Sequence, residues 1–398
     1  MDRSHRMLAN MCIGTCGSGY TALRRTVASS VFCFLLTSLP TICTGDMIAP
    51  GYTSRSIDFT SRYVFIGTNH GVSVFDKKTE TWDAIALDLS ERSAILGESP
   101  SVRILATKVD ENDVWFGTYQ KGAHKYNLIS GELSHYEAYR RAYNRKTKEY
   151  EQVGNCDLLD DVVNSVAVDG RGDVWFAGNR GVSRLGPQGW ENFLSRRDLS
   201  GREIELDGNI TCLNVDKSGS IWAGRSDFHH AYYDASPPVE VVGGGVSIFD
   251  GETWIHYYAG NYDLRDPDEL HMRTDLISND VMCMAMDNHK VWIGTTRGIS
   301  VHDLKTKEWK DYTTENSGIK SNRIASIAVG EDAIWVASDS GVCRYDKTSD
   351  SWLNYGSDVL SNPHVSSVGY DKYGKTVWAV TGLVAYLDVY AYRFDGSR

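Results

Sequence analysis

Few of the patterns that announce an enzyme are present in this sequence. No Gly-rich phosphate loop leads into a helix, and no Gly-x-Ser-x-Gly elbow presents a serine nucleophile. Neither a His-Glu-x-x-His pair nor an EF-hand loop offers a metal site. Cysteine says as little: four of the eight lie within the first 45 residues, and no pair has metal-ligand spacing. Cys212 and Cys283 fall in apolar runs, and Cys343 lies in Gly341-Val342-Cys343-Arg344, so all three read as small buried hydrophobes. No segment has the low complexity or polar bias of a disordered chain. Basic charge is also short, 41 Lys and Arg against 52 Asp and Glu, for a formal net of −11. An acidic average disfavours nucleic acid as a partner, because phosphate contacts need cations.

One apolar stretch stands apart. Arg24 and Arg25 precede an uncharged run from Thr26 to Gly45 that contains Val31-Phe32-Cys33-Phe34-Leu35-Leu36. That is the charged n-region and apolar h-region of a secretory signal, with cleavage expected near Cys43-Thr44-Gly45. Residues 1–45 are therefore read as a signal peptide or leader, with lipidation or an uncleaved anchor as alternatives, and the body as secreted or periplasmic. The leader holds four Arg and one Asp, which leaves 37 basic and 51 acidic groups beyond it, a net of −14.

Aromatic residues and glycine are plentiful: 11 Trp, 22 Tyr and 37 Gly. They recur in order. Seven copies of one pattern begin at Val64-Phe65-Ile66-Gly67, Val114-Trp115-Phe116-Gly117, Val174-Trp175-Phe176-Ala177, Ile221-Trp222-Ala223-Gly224, Val291-Trp292-Ile293-Gly294, Ile334-Trp335-Val336-Ala337 and Val377-Trp378-Ala379-Val380. A repeat of roughly 40–50 residues built only from short period-two strands reads as a propeller blade. The expected fold is all-β: one seven-bladed β-propeller over residues 46–398, with four-stranded blades. The Trp of each second strand would wedge between blades, and the Gly after it would let strands approach closely. The last repeat stops after three strands, so an N-terminal strand, Met47-Ile48-Ala49, is expected to complete it and remove the exposed edges.

The repeat resembles that of the two-component-regulator propellers, in Asn164-Ser165-Val166-Ala167-Val168-Asp169 before Val174-Trp175-Phe176 and in Asn322-Arg323-Ile324-Ala325-Ser326-Ile327 before Ile334-Trp335-Val336. The resemblance covers essentially residues 50–398 and implies an extracytoplasmic sensor module. It departs from that family in having one propeller, no C-terminal membrane helix and no kinase. The repeat also looks like that of the streptogramin lyases and, more loosely, of propeller polysaccharide lyases. Such a repeat marks architecture, not activity.

Function is sought where regularity fails. The turns between first and second strands (A–B) and between third and fourth (C–D) are short. The long insertions, 88–100, 137–161, 194–207, 225–243 and 259–278, all fall in B–C turns or D–A connections, which open on one face. That face carries His70, Lys121, Arg180, Arg225 and Arg297 in B–C turns, with Arg55, Arg103 and Arg323 at the starts of A strands. In an acidic protein this reads as an anion-binding ring, with His70, Lys121, Arg180, Arg225, Arg297 and Arg323 as ligand-binding candidates. The competing reading is ordinary solvated turn residues.

Two large loops add Asp227, His229, His230, Tyr232, Tyr233 and Asp234, then Tyr262, Asp263, Asp266, Asp268, Glu269 and His271. Their spacing matches no metal motif, so no metal site is assigned, and the cofactor is unknown. Two functions follow. The first is a monomeric binding propeller for an anionic glycan or for a protein or peptide, with no membrane contact beyond a possible N-terminal anchor. The alternative is a lyase on a uronic-acid polysaccharide. There an Arg would neutralise the carboxylate, and His229, His230 or Tyr233 would take the α-proton as catalytic base.

Overall fold

The computed structural model describes residues 42–44, 56–85, 87, 102–144, 146–193, 195–197, 203–205, 209–226, 244–259, 271–357, 360, 362–381 and 390–395. These form antiparallel blades at 56–85, 104–136, 165–193, 210–274, 281–312, 324–355 and 365–395. Among the described residues there is no helix. The architecture is a seven-bladed β-propeller.

Period-two alternation in strand B explains how the ring holds together. Val174 and Phe176 pack back against blade two, while Trp175 and Ala177 pack forward against blade four. Blade six repeats this: Ile334 and Val336 face blade five, Trp335 and Ala337 face blade seven. Each of the seven blade junctions has its own apolar cluster, so the core is distributed around the ring. Every strand-B Trp is buried. The Gly two residues on is needed for contact between blades: a Cβ on Gly294 would lie 2.7 Å from Cγ2 of Ile324 in the next blade.

Polar groups fasten the opposite face. In blades three and four the A–B turn Asp accepts the indole N–H of the strand-B Trp, Trp175 to Asp169 at 3.1 Å and Trp222 to Asp216 at 3.0 Å. Burial pushes both carboxyls up, but the indole and turn N–H donors, with the Arg171 guanidinium on Asp169 and the Ser218 hydroxyl on Asp216, outweigh it and hold both below the ordinary range. Lysines staple neighbouring blades. Lys77 Nζ reaches the Thr60 carbonyl at 2.6 Å and Asp371 of blade seven at 2.7 Å. Lys347 repeats this with the Gly330 carbonyl at 3.0 Å and Asp287 of blade five at 2.9 Å.

Ring closure is as expected, but the closing strand is Ile42–Thr44, paired antiparallel with blade seven so that Cys43 lies opposite Arg393. Met47-Ile48-Ala49 lies outside the described residues. The closing strand thus falls inside the stretch read as leader, where Ile42 and Thr44 supply the β-branched residues that strands favour.

The insertions carry strands of their own. The 137–161 connection forms a hairpin, Arg140–Asn144 with Glu149–Val153. The 194–207 connection pairs Ser195–Arg197 with Glu203–Glu205. In blade four His271–Thr274 adds a fifth strand, parallel to Trp254–Ala259.

In five blades strand A carries a register shift, at Leu105, Thr211, Met282, Ala325 and Ser366. The bulge inserts one extra residue at the end of the strand nearest the long-loop face. The A strands enclose a central channel of about 510 Å³, bordered by Ser56, Ser165, Cys212, Cys283, Ser326 and Ser367 among others.

Candidate binding site

A repeated device shapes the B–C turns. The last residue of strand B is Thr68, Thr118, Thr295 or Ser338, and its hydroxyl donates to the carbonyl of the Gly that ends the turn. The same oxygen accepts a turn N–H from His70, Lys121, Arg297 or Ser340. That Gly must adopt a left-handed backbone. Gly298 has φ +133°, and a Cβ there would meet the Tyr312 carbonyl at 2.5 Å. His70 and Arg297 therefore occupy equivalent turn tips, as the spacing suggested, and Arg180 precedes Gly181 in the same way.

Arg225 differs. It is the last residue of strand B, opposite Ile210 and Gly245, where five other blades have Thr or Ser and blade three has Gly178. It is buried at 5% exposure, so it is a strand-end residue rather than a turn tip. The expansion of that turn hid the register. Arg323 precedes its A strand and is exposed, as are Arg180 and Arg297 on their own blades. His229, His230 and Tyr233 lie outside the described residues, together with most of the two loops that carry them.

Two of the expected residues come together. His70 and Lys121 line a cleft of about 710 Å³ on the long-loop face, where the turns of blades one and two meet the connection that leads to blade three. Arg103, Tyr119, Arg140 and Asp160–Val162 complete most of its wall. The blade-two turn is one residue longer than its neighbours, with Gln120 in the left-handed region at φ 66°. The extra length presents Tyr119, 44% exposed, whose N–H donates to the Arg103 carbonyl at 2.9 Å. The Arg103 guanidinium lies 5.2 Å from the Tyr119 ring centroid, a cation–π contact that orients its donors.

Arg140 stands at the base of the hairpin. Its Nε donates to Asp161 at 3.0 Å and its Nη2 to buried Glu137 at 3.2 Å. Asp161 also accepts the Ala138 N–H at 2.7 Å, and Asp160 accepts the N–H groups of Val162 and Asn179. Burial raises the pKa of both aspartates despite these donors. Arg180 Nη1 donates to the Leu159 carbonyl, next to this wall.

Behind the turn lies a departure from the repeat. Where strands C and D pair, four other blades place a hydrogen-bonded couple: Ser183 with Asn192, Ser247 with His256, Ser300 with Asp311, Cys343 with Asn354. In blade two the equivalents are His124 and His135, stacked with centroids 4.5 Å apart. His135 Nε2 reaches the Lys121 carbonyl at 3.0 Å. His124 is buried, and neither of its ring nitrogens has a hydrogen-bond partner. Burial first, and then the His135 ring, pushes its pKa down to about 3.

Fold and cleft together define a seven-bladed propeller with a polar cleft on its long-loop face. No family model matches the sequence, and no curated protein matches it. Solved structures share the fold. One is the extracellular domain assigned to the hybrid two component system BT3049 from B. thetaiotaomicron, with TM-score 0.55 and 15% identity over 87% of this chain. This chain spans 40% of that one. Another is YCF48 bound to D1 peptide, with TM-score 0.55 and 13% identity over 87% of this chain and 95% of the other. A third is U3-55K, with TM-score 0.54 and 10% identity over 89% of this chain and 97% of the other. At such identities the likeness is one of fold.

Proposed function

We propose that the protein is an extracytoplasmic recognition propeller that binds an anionic ligand, a glycan or a protein segment, on the face of the B–C turns and D–A connections. The cleft lined by blades one and two and the connection after blade two is its contact centre. The observation that carries this reading is the gathering of Arg103, Lys121, Arg140 and His70 in one concavity of a chain whose formal net charge is −11. Asp161 is engaged by Arg140, and Asp160 by backbone N–H groups. Arg103, stacked on Tyr119, keeps a bidentate donor edge suited to carboxylate or sulfate. The apolar residues of the blades are spent on packing between neighbours, so the cleft offers polar recognition with one aromatic platform.

The test is binding of the protein to polygalacturonate, chondroitin sulfate and poly-glutamate, with dextran as the neutral control, at low and high salt. Binding to an acidic probe that weakens with salt, and that falls about tenfold in Arg103→Ser, supports the reading. Equal binding to dextran, or no binding to any acidic probe, refutes it.

A further inference from the structure

Seven large apolar or aromatic side chains stand exposed among the described residues, and three of them, Tyr119, Tyr139 and Tyr150, lie in the blade-two B–C turn and the D–A connection after it. Tyr119 lines the cleft, Tyr139 precedes cleft residue Arg140, and Tyr150 lies on the hairpin's second strand. Tyr139 and Tyr150 are 52% and 66% exposed. From the Arg140–Val153 pair at the base to the Tyr143–Tyr150 pair is three residues, roughly 10 Å of strand. Tyr and Arg are the residue types that carry most energy at protein interfaces.

The hairpin stands apart from the blades. Like the Ser195–Arg197 and Glu203–Glu205 pair, it is a two-stranded sheet whose edges pair with no further strand among the described residues. Such a pair is marginal alone. Here its base is anchored: the Glu137 N–H donates to Asn155 at 2.8 Å, Asn155 Nδ2 donates to the His135 carbonyl at 2.6 Å, and Arg140 ties Glu137 to Asp161. An anchored hairpin with open edges is a template for one more strand.

From this we infer that the cleft and the hairpin together dock an extended acidic segment of a partner protein, its backbone running along the hairpin edge, its apolar side chains on Tyr139 and Tyr150, and its carboxylates at Arg103. The inference rests on the anionic-ligand reading above and narrows it to one class. Open strand edges complement a peptide backbone and have no counterpart in a sugar, which separates this occupant from an acidic glycan.

The experiment uses the whole protein and a fluorescein-labelled twelve-residue peptide alternating Glu with Val or Thr, read by anisotropy. A Lys-for-Glu peptide and a galacturonate dodecamer are run beside it. The acidic peptide is expected to bind, and the Lys peptide not. Tyr150→Ser should weaken the acidic peptide at least about fivefold and Arg103→Ser about tenfold. Lys305→Ser, on the opposite face, should leave it unchanged. Thermal melts of each variant confirm folding. Peptide binding indifferent to both Tyr150→Ser and Arg103→Ser overturns the proposed surface. Galacturonate binding sensitive to Arg103→Ser, without peptide binding, overturns the partner class and leaves the anionic-ligand reading standing. No binding by either acidic probe overturns both.

Discussion

Replacing Lys77 with Met tests how the ring is locked. Met keeps the length and the apolar stem but removes the ammonium from Asp371 of blade seven and from the Thr60 carbonyl. The Asp371 side chain is fully buried and that of Lys77 is 16% exposed. The variant therefore leaves a buried carboxylate whose remaining donor is the Tyr373 N–H. Breaking a buried pair from one side costs about 3–5 kcal/mol, and the partial exposure of Lys77 places this case near 3 kcal/mol. At about 2.1 cal/mol/K per residue of unfolding entropy, the 359 residues from Pro40 to Arg398 convert this to a Tm fall of about 4 °C. Lys347→Met, whose pair has side chains 23% and 13% exposed, should cost less. Denaturant unfolding of Lys77→Met, Asp371→Asn and Lys77→Met/Asp371→Asn closes the cycle. The double variant should recover part of the loss, because the stranded charge is gone. If Lys77→Met unfolds within about 0.5 kcal/mol of the parent, or if the two substitutions simply add, the staple contributes nothing and the reasoning fails.

Three further outcomes are expected. A chain beginning at residue 46 should melt several degrees below one beginning at residue 40, because only the latter keeps Ile42–Thr44 on the edge of blade seven; equal melting would show that the strand does not close the ring. His124 is held neutral in the fold to about pH 3, whereas an unfolded chain takes up that proton near 6.5. Its contribution is therefore intact above pH 6.5 and is lost on acidification, by up to about 1.4 kcal/mol per pH unit. His124→Ser should flatten the stability profile between pH 6 and 4, and parallel profiles would refute the assignment. Gly298→Ala, at φ +133° with its new Cβ 2.5 Å from the Tyr312 carbonyl, should cost about 2 kcal/mol in chemical unfolding; a silent substitution would show that the turn relaxes freely.

The fold was legible because each blade restates it locally. Trp335 two residues before Ala337 is enough to say which side faces which neighbour, and the same spacing recurs in the other blades. His70 and Arg297 could be placed because a Thr precedes and a Gly follows them at fixed distance. The cleft was only half legible, since its other members come from places where the repeat is broken. Tyr119 owes its exposure to one extra turn residue. Arg140 sits in an insertion, where the repeat gives no register to read. Arg225 looked like a turn residue because nothing in a swollen B–C segment marks where strand B stops, and only the pairing with Ile210 and Gly245 shows it. The closing strand was sought at Met47 because the apolar stretch before it already had a reading as a leader.

Closure of the last blade by Ile42–Thr44 joins positions about 350 residues apart. Entropy of closure grows only with the logarithm of that separation, so the equilibrium penalty is small. The kinetic consequence is larger, because long-range pairing is slow. As the chain is made, blades one to six can stack in order, each on the one before. Blade seven must wait for residues 365–395, and until then the ring is an open arc with the facing sides of blades one and six exposed to other chains. Maturation of this protein is therefore a clasping event, and its aggregation hazard is concentrated in the interval just before the clasp shuts.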